Sequence, residues 1–319
     1  MKNIWRSGIL GVLVGDALGC PVQFESREKV ATHPVTGMRG YGTFNLPAGS
    51  WTDDSSLTLA LLESIRRRGE IDLKDIMDNF VRWLEDGAFT PFGYSYDIGR
   101  GTMDAIRRYM REGNPLQAGG TDARNNGNGS LMRFMPAVLY CLEKALPDGE
   151  AVETVHRVGR LTHGHLRAGI ACGLYFFMAR AVLGEAGTLA ERLQAGLDRG
   201  FAFYEEALSD GAELRYYSRL RDLGAFAATP ADGIRGSGYV VETLEAVVWS
   251  LLNEESFEGT LLRAVNLGED TDTVGAIAGG LAGLYYGDEA IPVPWVEILQ
   301  RRDWIEAMID GGETSENAE

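Results

Sequence analysis

The sequence predicts an all-α protein. Apolar residues recur every three or four positions along nearly the whole chain, which is the period of helices that bury one face. No segment shows the regular alternation of apolar and polar residues that indicates a half-buried strand. Two series of glycines spaced four apart also favour helices, because residues four apart share one face of a helix.

The predicted helices are separated by segments in which Gly and Pro cluster. They are 3–19, 55–68, 72–85, 100–112, 130–145, 148–162, 166–183, 187–207, 239–254, 256–266, 272–286 and 294–310. Segments 20–54 and 113–129 are predicted as long loops, which in compact helical proteins usually carry function. Segment 208–238 fits no clear pattern. The predicted domain is 1–310, followed by a polar, flexible tail at 311–319.

The glycine series are Gly11, Gly15 and Gly19 near the N-terminus and Gly275, Gly279 and Gly283 near the C-terminus. A row of glycines lets another helix approach closely, at a cost of about 1 kcal/mol per glycine relative to alanine. Both apolar runs are too short to cross a membrane. We therefore expect two central helices packed tightly against their neighbours, with polar residues at their ends.

Composition excludes several function classes. The 319 residues are 45% apolar, enough for a substantial core. The formal net charge is −16, from 30 Lys and Arg against 46 Asp and Glu, so neither nucleic-acid nor anionic-membrane binding is expected. An anionic ligand would need a metal ion or helix N-termini to hold it locally.

Cysteine usage predicts a cytoplasmic protein. Three cysteines do not make a disulfide framework, and a reducing compartment fits best. The apolar run 9–14 is too short for a signal sequence, and no stretch reaches the roughly 18 uncharged apolar residues of a membrane span. No membrane association is expected.

Two short acidic segments carry the strongest chemical signal. One contains Thr52, Asp53 and Asp54, and the other contains Asp270, Asp272 and Thr273; each leads directly into an apolar, helix-like stretch. Helix capping explains one or two of these acids, but it does not explain why two segments each contain several acids within a few residues. Carboxylates this close repel one another unless a cation lies among them. If folding unites the clusters, their oxygens suit Mg²⁺ or Mn²⁺ better than zinc.

Four other features have both a structural and a functional interpretation. The Asn/Gly loop 125–129 is either a simple turn or an anion site at the start of a helix. The histidines of Thr162-His163-Gly164-His165 either cap a helix or are ordinary surface residues, or one of them binds substrate. Tyr239 is either core or a base-stacking side chain, and Glu25 is either a solvated loop residue or part of a site.

The ordered motifs of this chain resemble those of the ADP-ribosylglycohydrolases. They are G-V-L-V-G-D-A-L-G with a following F-E, G-S-W-T-D-D-S, G-N-G-S-L-M-R, T-H, G-Y-V-x-x-T-L-E-A and G-E-D-T-D-T-V-G-A-I-A-G-G. They extend from residue 8 to about 287. The resemblance implies a compact, single-domain, orthogonal bundle of helices, expected to be a monomer.

The resemblance also implies roles for particular residues. It implies a centre of two Mg²⁺ or Mn²⁺ ions bound by Thr52, Asp53, Asp54, Asp270, Asp272 and Thr273. The implied contacts with ADP-ribose are Phe24, Gly127, Asn128, Gly129, Ser130, His163 and Tyr239. The implied proton acceptors are Glu25, Asp53 and Asp54.

The expected reaction is hydrolysis of the bond between ADP-ribose and an acceptor on a protein or a small molecule, through an oxocarbenium-like transition state. The acceptor stays open, because some arginine-specific members carry an Asp just before the glycine-rich loop, where this chain has Ala123 to Asn126. A non-catalytic ADP-ribose binder on the same scaffold is the alternative. An isoprenoid synthase is disfavoured, because Leu57 occupies a position where its motif needs Asp.

Overall fold

The computed structural model describes residues 3–312, and this part of the chain contains helices, turns and loops without a named strand, which confirms the all-α prediction. The helices are α1 (Ile4–Gly19), α2 (Arg27–Thr32), α3 (Asp53–Arg68), α4 (Leu73–Asp86), α5 (Arg100–Glu112), α6 (Met135–Glu143), α7 (Asp148–Arg160), α8 (Leu166–Gly184), α9 (Leu189–Ala207), α10 (Leu223–Ala227), α11 (Val240–Leu252), α12 (Phe257–Val265), α13 (Thr271–Tyr286), α14 (Val293–Glu297) and α15 (Arg302–Asp310). Most of the predicted tail, residues 313–319, lies outside the described residues.

Helices α1 and α13 form the central pair and run antiparallel. A Cβ atom added to Gly15 would collide with the Gly275 carbonyl oxygen, and one added to Gly11 would collide with that of Gly279. The backbones therefore touch directly, which confirms the close packing expected from the glycine series. The Thr271 hydroxyl donates to the Gly19 carbonyl oxygen at 2.8 Å. The C-terminal end of α1 thus lies beside the first turn of α13.

The helices that follow the two acidic segments begin earlier than the sequence pattern predicted, so part of each segment is helical. Helix α3 begins at Asp53 rather than at 55, and α13 begins at Thr271 rather than at 272. Asp53, Asp54 and Asp272 therefore occupy first turns, where the helix dipole favours negative charge. All three side chains are buried.

Three predicted boundaries were wrong for identifiable reasons. Helix α6 begins at Met135 and not at 130, because Pro136 is suited only to the first turn of a helix. The predicted helix 294–310 is two helices, α14 and α15, separated at Arg301, whose φ of 52° is left-handed. The predicted loop 20–54 contains α2, which the Ser26 side chain caps.

The segment without a clear pattern, 208–238, is mostly non-α. It contains a 3₁₀ stretch at Leu214–Arg221 and the five-residue helix α10. Within residues 3–312, α8 alone has the length and apolar composition of a membrane span, and 78% of that window is buried inside the protein. The three cysteines are buried and unpaired. The predicted reducing compartment stays a prediction.

We expect Gly15→Ala to destabilise the protein strongly. The added methyl group would meet a backbone carbonyl, which cannot move aside as a flexible side chain can. Overpacking of this kind costs about 1–3 kcal/mol or more. Urea unfolding followed by circular dichroism measures the loss in the free energy of unfolding.

The matched control is Gly184→Ala at the end of α8, where an added Cβ has no atom within 4 Å among the described residues. This substitution should leave stability unchanged or slightly increase it. Equal stability of the two variants would show that the α1–α13 contact is looser than described.

Candidate active site

The two acidic segments meet at one end of the α1–α13 pair. The Thr52 hydroxyl lies 3.1 Å from a carboxylate oxygen of Asp272, and the Thr273 hydroxyl lies 3.3 Å from one of Asp54. More than 200 residues of sequence separate these partners. The predicted meeting of the two segments is therefore confirmed, and their role as metal ligands stays a prediction.

Asp16 fixes the start of α3 from the neighbouring helix α1. Thr52 makes no side-chain capping bond of its own. Instead the Asp16 carboxylate accepts hydrogen bonds from the Thr52 and Ser55 amides, at 3.0 and 2.9 Å, and from the Ser55 hydroxyl at 2.5 Å. Such a cap satisfies amides that a helix leaves unpaired. Asp16 thereby fixes the first turn of α3, which carries Asp53 and Asp54.

Asp97 is a site residue that the sequence patterns did not reveal. It lies in the loop before α5, where its own φ is 51°, and it accepts a hydrogen bond from the Gln23 amide at 2.8 Å. Its carboxyl group also reaches Asp53 and Asp272. A lone Asp in an aromatic, glycine-containing loop has no neighbouring acid to draw notice. Only folding brings it to the other carboxylates.

We refer to Asp16, Asp53, Asp54, Asp97, Asp270 and Asp272 together as the acidic cluster. Burial, followed by the charges of the other members, raises the pKa of Asp53, Asp54 and Asp272 well above the usual range. Burial raises the pKa of Asp97 to about 6, and the hydrogen bond from Gln23 opposes this shift. Charges of one sign held together out of water favour either proton uptake or a bound cation.

The donor chemistry of the cluster fits a hard divalent cation. One oxygen of Asp54 and one of Asp272 are buried without a hydrogen-bond partner in the described chain, as expected for atoms that ligate an ion. Between residues 3 and 312, no set of three or more His, Cys, Asp and Glu side chains alone has the arrangement of a metal site. The fit therefore includes the hydroxyls of Thr52 and Thr273, which gives an all-oxygen donor set suited to Mg²⁺ or Mn²⁺.

A cavity opens above the acidic cluster. Its walls come from the loop after α1, the start of α5, the Asn/Gly loop and the two acidic segments. The predicted residues that line it are Phe24, Asp53, Gly127, Asn128, Gly129, His163, Asp270 and Thr273; those not predicted are Gln23, Asp97, Gly99, Arg100, Gly101, Thr102, Met132 and Gly238. Thr52, Asp54 and Asp272 are buried among the acids and do not line the cavity.

Phe24 stands at the edge of the cavity in an unusual conformation. Its side chain is 67% exposed, and its φ of 65° lies in the left-handed region that bulky residues seldom occupy. The Phe24 amide donates to the Glu269 carbonyl oxygen at 2.6 Å, which holds this loop against the second acidic segment. Strained backbone of this kind concentrates at functional sites.

The Asn/Gly loop contacts the acidic cluster directly. Asn128 donates to a carboxylate oxygen of Asp270 at 2.7 Å and to the Thr243 hydroxyl at 3.0 Å. The loop does not open a helix as predicted, because α6 begins five residues further on. The start of α5, at Arg100 to Thr102, lines the cavity together with the starts of α3 and α13.

Three further predicted site residues, in addition to Thr52, Asp54 and Asp272, do not line the cavity. The Glu25 carboxylate pairs with Lys29 on α2 at 2.9 Å. Ser130 is fully buried beside Cys172. Tyr239 is half-buried, and its hydroxyl accepts a hydrogen bond from Arg167 at 3.0 Å. Their roles with substrate stay predictions.

The two histidines between α7 and α8, His163 and His165, have different surroundings. The His165 ring accepts from the Arg167 amide and caps α8, so the capping interpretation holds for this residue. His163 lies on the cavity wall, where burial and the charge of Arg133 lower the pKa of the imidazole to about 3. His163 is therefore neutral at physiological pH.

A model of the ADP-ribosylglycohydrolase family matches residues 3–318. The chain belongs to the ADP-ribosylglycohydrolase family. A solved structure titled as an ADP-ribosylglycohydrolase-related protein complex superposes with a TM-score of 0.76 at 36% identity, over 97% of this chain and 96% of the other. The fold and family implied by the sequence motifs are thus confirmed.

Two relatives in the family have more specific names. The chain is 34% identical over 293 residues to the ADP-ribosylarginine hydrolase Tri1 of Pseudomonas putida (strain GB-1), covering 92% of this chain and 73% of that protein. It is 33% identical over 298 residues to the ADP-ribosyl-dinitrogen reductase glycohydrolase of Rhodospirillum rubrum, covering 92% and 89%. Their names support an ADP-ribosylglycohydrolase activity for this family member.

We expect Asp54→Asn to stabilise the protein in the presence of a chelator. The substitution removes one buried charge, and the Thr273 hydroxyl can still donate to the amide oxygen. Because the pKa of Asp54 is raised in the folded state, the parent protein becomes less stable as the pH rises through this pKa. The stability difference between Asp54→Asn and the parent should therefore be small at pH 5 and larger at pH 8. We expect a gain on the order of 2 kcal/mol at pH 8. Thermal unfolding in EDTA at pH 5, 6.5 and 8 measures it.

Asp104→Asn, on the exposed face of α5, is the control and should change the unfolding temperature little at any of these pH values. An Asp54→Asn protein that is no more stable than its parent at pH 8 would contradict the proposed repulsion within the cluster.

Proposed function

We propose that this protein hydrolyses the N-glycosidic bond between ADP-ribose and an arginine side chain of a protein, using two Mg²⁺ or Mn²⁺ ions. The observation that carries the proposal is the acidic cluster beneath the cavity, in which two distant segments present carboxylates and hydroxyls to each other. Family membership supports the reaction class. The names of the Pseudomonas putida and Rhodospirillum rubrum proteins support an ADP-ribosylated protein as the substrate.

The residues that would hold the ions are those with oxygen donors at the starts of α3 and α13. They are Thr52, Asp53, Asp54, Asp270, Asp272 and Thr273. When bound there, two divalent ions would supply Lewis acidity to the ribose hydroxyls and to the attacking water. Asp16 does not need to be a ligand, because its oxygens are occupied by the amides and hydroxyls at the start of α3.

The net reaction adds one water molecule to the two atoms of the glycosidic bond. The bond from C1 of the distal ribose to the guanidine nitrogen breaks, and a bond from C1 to the water oxygen forms. The water loses one proton, and the leaving guanidine gains one. Asp97 can hold this proton, because its carboxyl group lies on the cavity wall beside Asp53. Asp53, which also lines the cavity, is the alternative proton acceptor; Glu25 would first have to leave Lys29.

The remaining walls suit the ADP part of the substrate. Gly127, Gly129 and the first turn of α5 line the cavity, and backbone amides at such positions bind diphosphate oxygens. The Asn128 amide is not among them, because it donates to the Gly238 carbonyl oxygen at 3.1 Å. Tyr239 follows Gly238, a cavity residue, and its ring is a candidate surface for adenine. A protein with a net charge of −16 would thus bind an anionic ligand through local dipoles and metal ions.

The acceptor that we favour is a cation. ADP-ribosylated arginine keeps the positive charge of its guanidinium group, and Asp97, which is not among the proposed metal ligands, lines the cavity. A serine or acetyl acceptor is neutral and gains nothing from this carboxylate. A non-catalytic binder remains the second candidate, although every predicted ligand position keeps an oxygen donor.

A panel of conjugates tests the proposal directly. We expect release of ADP-ribose from ADP-ribosylarginine protein with Mg²⁺ or Mn²⁺, at least about tenfold faster than from ADP-ribosylserine or O-acetyl-ADP-ribose. Excess chelator should abolish release, and either metal should restore it. Chromatography of free ADP-ribose measures each rate.

The outcomes of the panel separate the alternatives. Undiminished activity in chelator would reject the metal requirement, and preference for a neutral acceptor would reject the arginine assignment. Calorimetry that shows tight ADP-ribose binding, together with no hydrolysis of any conjugate, would favour the non-catalytic binder.

We expect Asp270→Asn to lower turnover by at least about 100-fold while leaving the fold intact. Asn keeps an oxygen that can accept from Asn128, so the local contact survives and only the charge is lost. Steady-state rates across a metal titration measure the effect, with unfolding temperature as the check on folding. Asp104→Asn again serves as the control. Unchanged turnover in a folded Asp270→Asn protein would remove this residue from the metal ligands.

A further inference from the structure

Arg133 is a buried cation that the proposed mechanism does not use. It belongs to the G-N-G-S-L-M-R motif, and its side chain is fully buried. Within residues 3–312, its Nε and one terminal nitrogen have no hydrogen-bond partner. The guanidinium lies 4.8 Å from the centre of the Phe80 ring, a favourable cation–π distance. A buried charge without an acid partner lowers the stability of the folded protein.

The bonds that Arg133 does make lead to the cavity. Its other terminal nitrogen, Nη2, donates to the Thr162 hydroxyl oxygen at 2.7 Å and to the Val158 carbonyl oxygen at 3.3 Å. The Thr162 oxygen lies 2.9 Å from Nδ1 of His163. Arginine can only donate hydrogen bonds, so the Thr162 oxygen accepts from Arg133, and a threonine hydroxyl also has one hydrogen to donate. Within residues 3–312, Nδ1 of His163 is the acceptor that this hydrogen can reach. The direction of the chain is therefore from Arg133 through Thr162 to His163.

This direction determines which nitrogen of His163 carries hydrogen. The Thr162 hydroxyl hydrogen points to Nδ1, so Nδ1 is the acceptor and the neutral ring carries its hydrogen on Nε2. Protonation of the ring is strongly disfavoured, because burial and the Arg133 charge lower the pKa of His163 to about 3. The imidazole thus has one donor only.

The Nε2 edge of the ring is the one at the cavity. A Cβ atom added to Gly101 would lie 3.0 Å from Nε2, and one added to Gly127 would lie 3.3 Å from it. Both glycines line the cavity, one at the start of α5 and the other in the Asn/Gly loop. The Nε2 hydrogen therefore emerges between the two walls that present backbone amides.

We propose that Arg133 is a positioning residue that acts through Thr162 to hold His163 as the Nε2-protonated tautomer, so that the ring donates to the diphosphate of bound ADP-ribose. The choice of ligand rests on the proposed function. The fixed positive charge of Arg133 behind the ring also favours an anion at this wall, in a protein that is otherwise strongly acidic. Arg133 itself does not touch the ligand in this arrangement.

The test compares Thr162→Val with Thr162→Ser in the full-length protein. Valine has the shape of threonine without the hydroxyl, and serine keeps the hydroxyl. Long-range ¹H–¹⁵N spectra report the tautomer of each of the four histidines, and His163→Gln assigns the relevant signal. We expect the Nε2–H form in the parent and in Thr162→Ser, and a mixture of tautomers or the Nδ1–H form in Thr162→Val.

Calorimetry with ADP-ribose as the probe gives the second measurement. Loss of an aligned donor to a charged oxygen should raise Kd about tenfold in Thr162→Val, with less than a twofold change in Thr162→Ser. Arg133→Met should show the same tautomer change as Thr162→Val. If Arg133→Met does not fold, the threonine pair decides the result alone.

Three results would overturn the proposal. They are an Nδ1–H tautomer in the parent protein, an unchanged tautomer in Thr162→Val, or an unchanged Kd in that variant. If the parent fails to bind ADP-ribose, the ligand assigned to His163 is wrong together with the proposed function. The tautomer measurement needs no ligand and no turnover, so failure of the positioning chain and failure of the proposed function can be told apart.

Discussion

The direct backbone contact between α1 and α13 is the constraint on which the site depends. Side chains on the facing surfaces would push the helices apart, and glycines at both surfaces remove that obstacle. The contact places the last turn of α1 beside the first turn of α13. Asp16 then reaches across to the amides that begin α3. Three helix ends are thereby fixed relative to one another before any ligand binds, as a site of high geometric precision requires.

The same arrangement brings the carboxylates of the acidic cluster together in a buried place, where water cannot solvate their charges. Helix dipoles at the starts of α3 and α13 and hydrogen bonds from neighbouring groups offset part of the repulsion. The raised pKa values of Asp53, Asp54 and Asp272 indicate that the offset is incomplete. A site of this kind is poised to take up cations or protons, and both are useful in the hydrolysis of a glycosidic bond.

The cavity lining also contains groups that carry no negative charge. They are the glycines of the Asn/Gly loop and of the start of α5, and the neutral His163, which is linked through Thr162 to the buried Arg133. The cavity therefore combines carboxylates with hydrogen-bond donors. A ligand with a hydroxyl-rich sugar at one end and a diphosphate beside it matches that combination.

The sequence by itself determined the helical class, the two glycine-lined helices and the acidic segments, because each is a local pattern with a physical meaning. Apolar periodicity predicted the start of α6 five residues too early, because it takes no account of Pro136, which is confined to the first turn of the helix. The sequence could not reveal Asp97, which has no acidic neighbour in the chain, or the part that Arg133 plays behind His163. Tertiary structure alone decided these, because charge repulsion and hydrogen-bond direction depend on distances between residues that are remote in sequence.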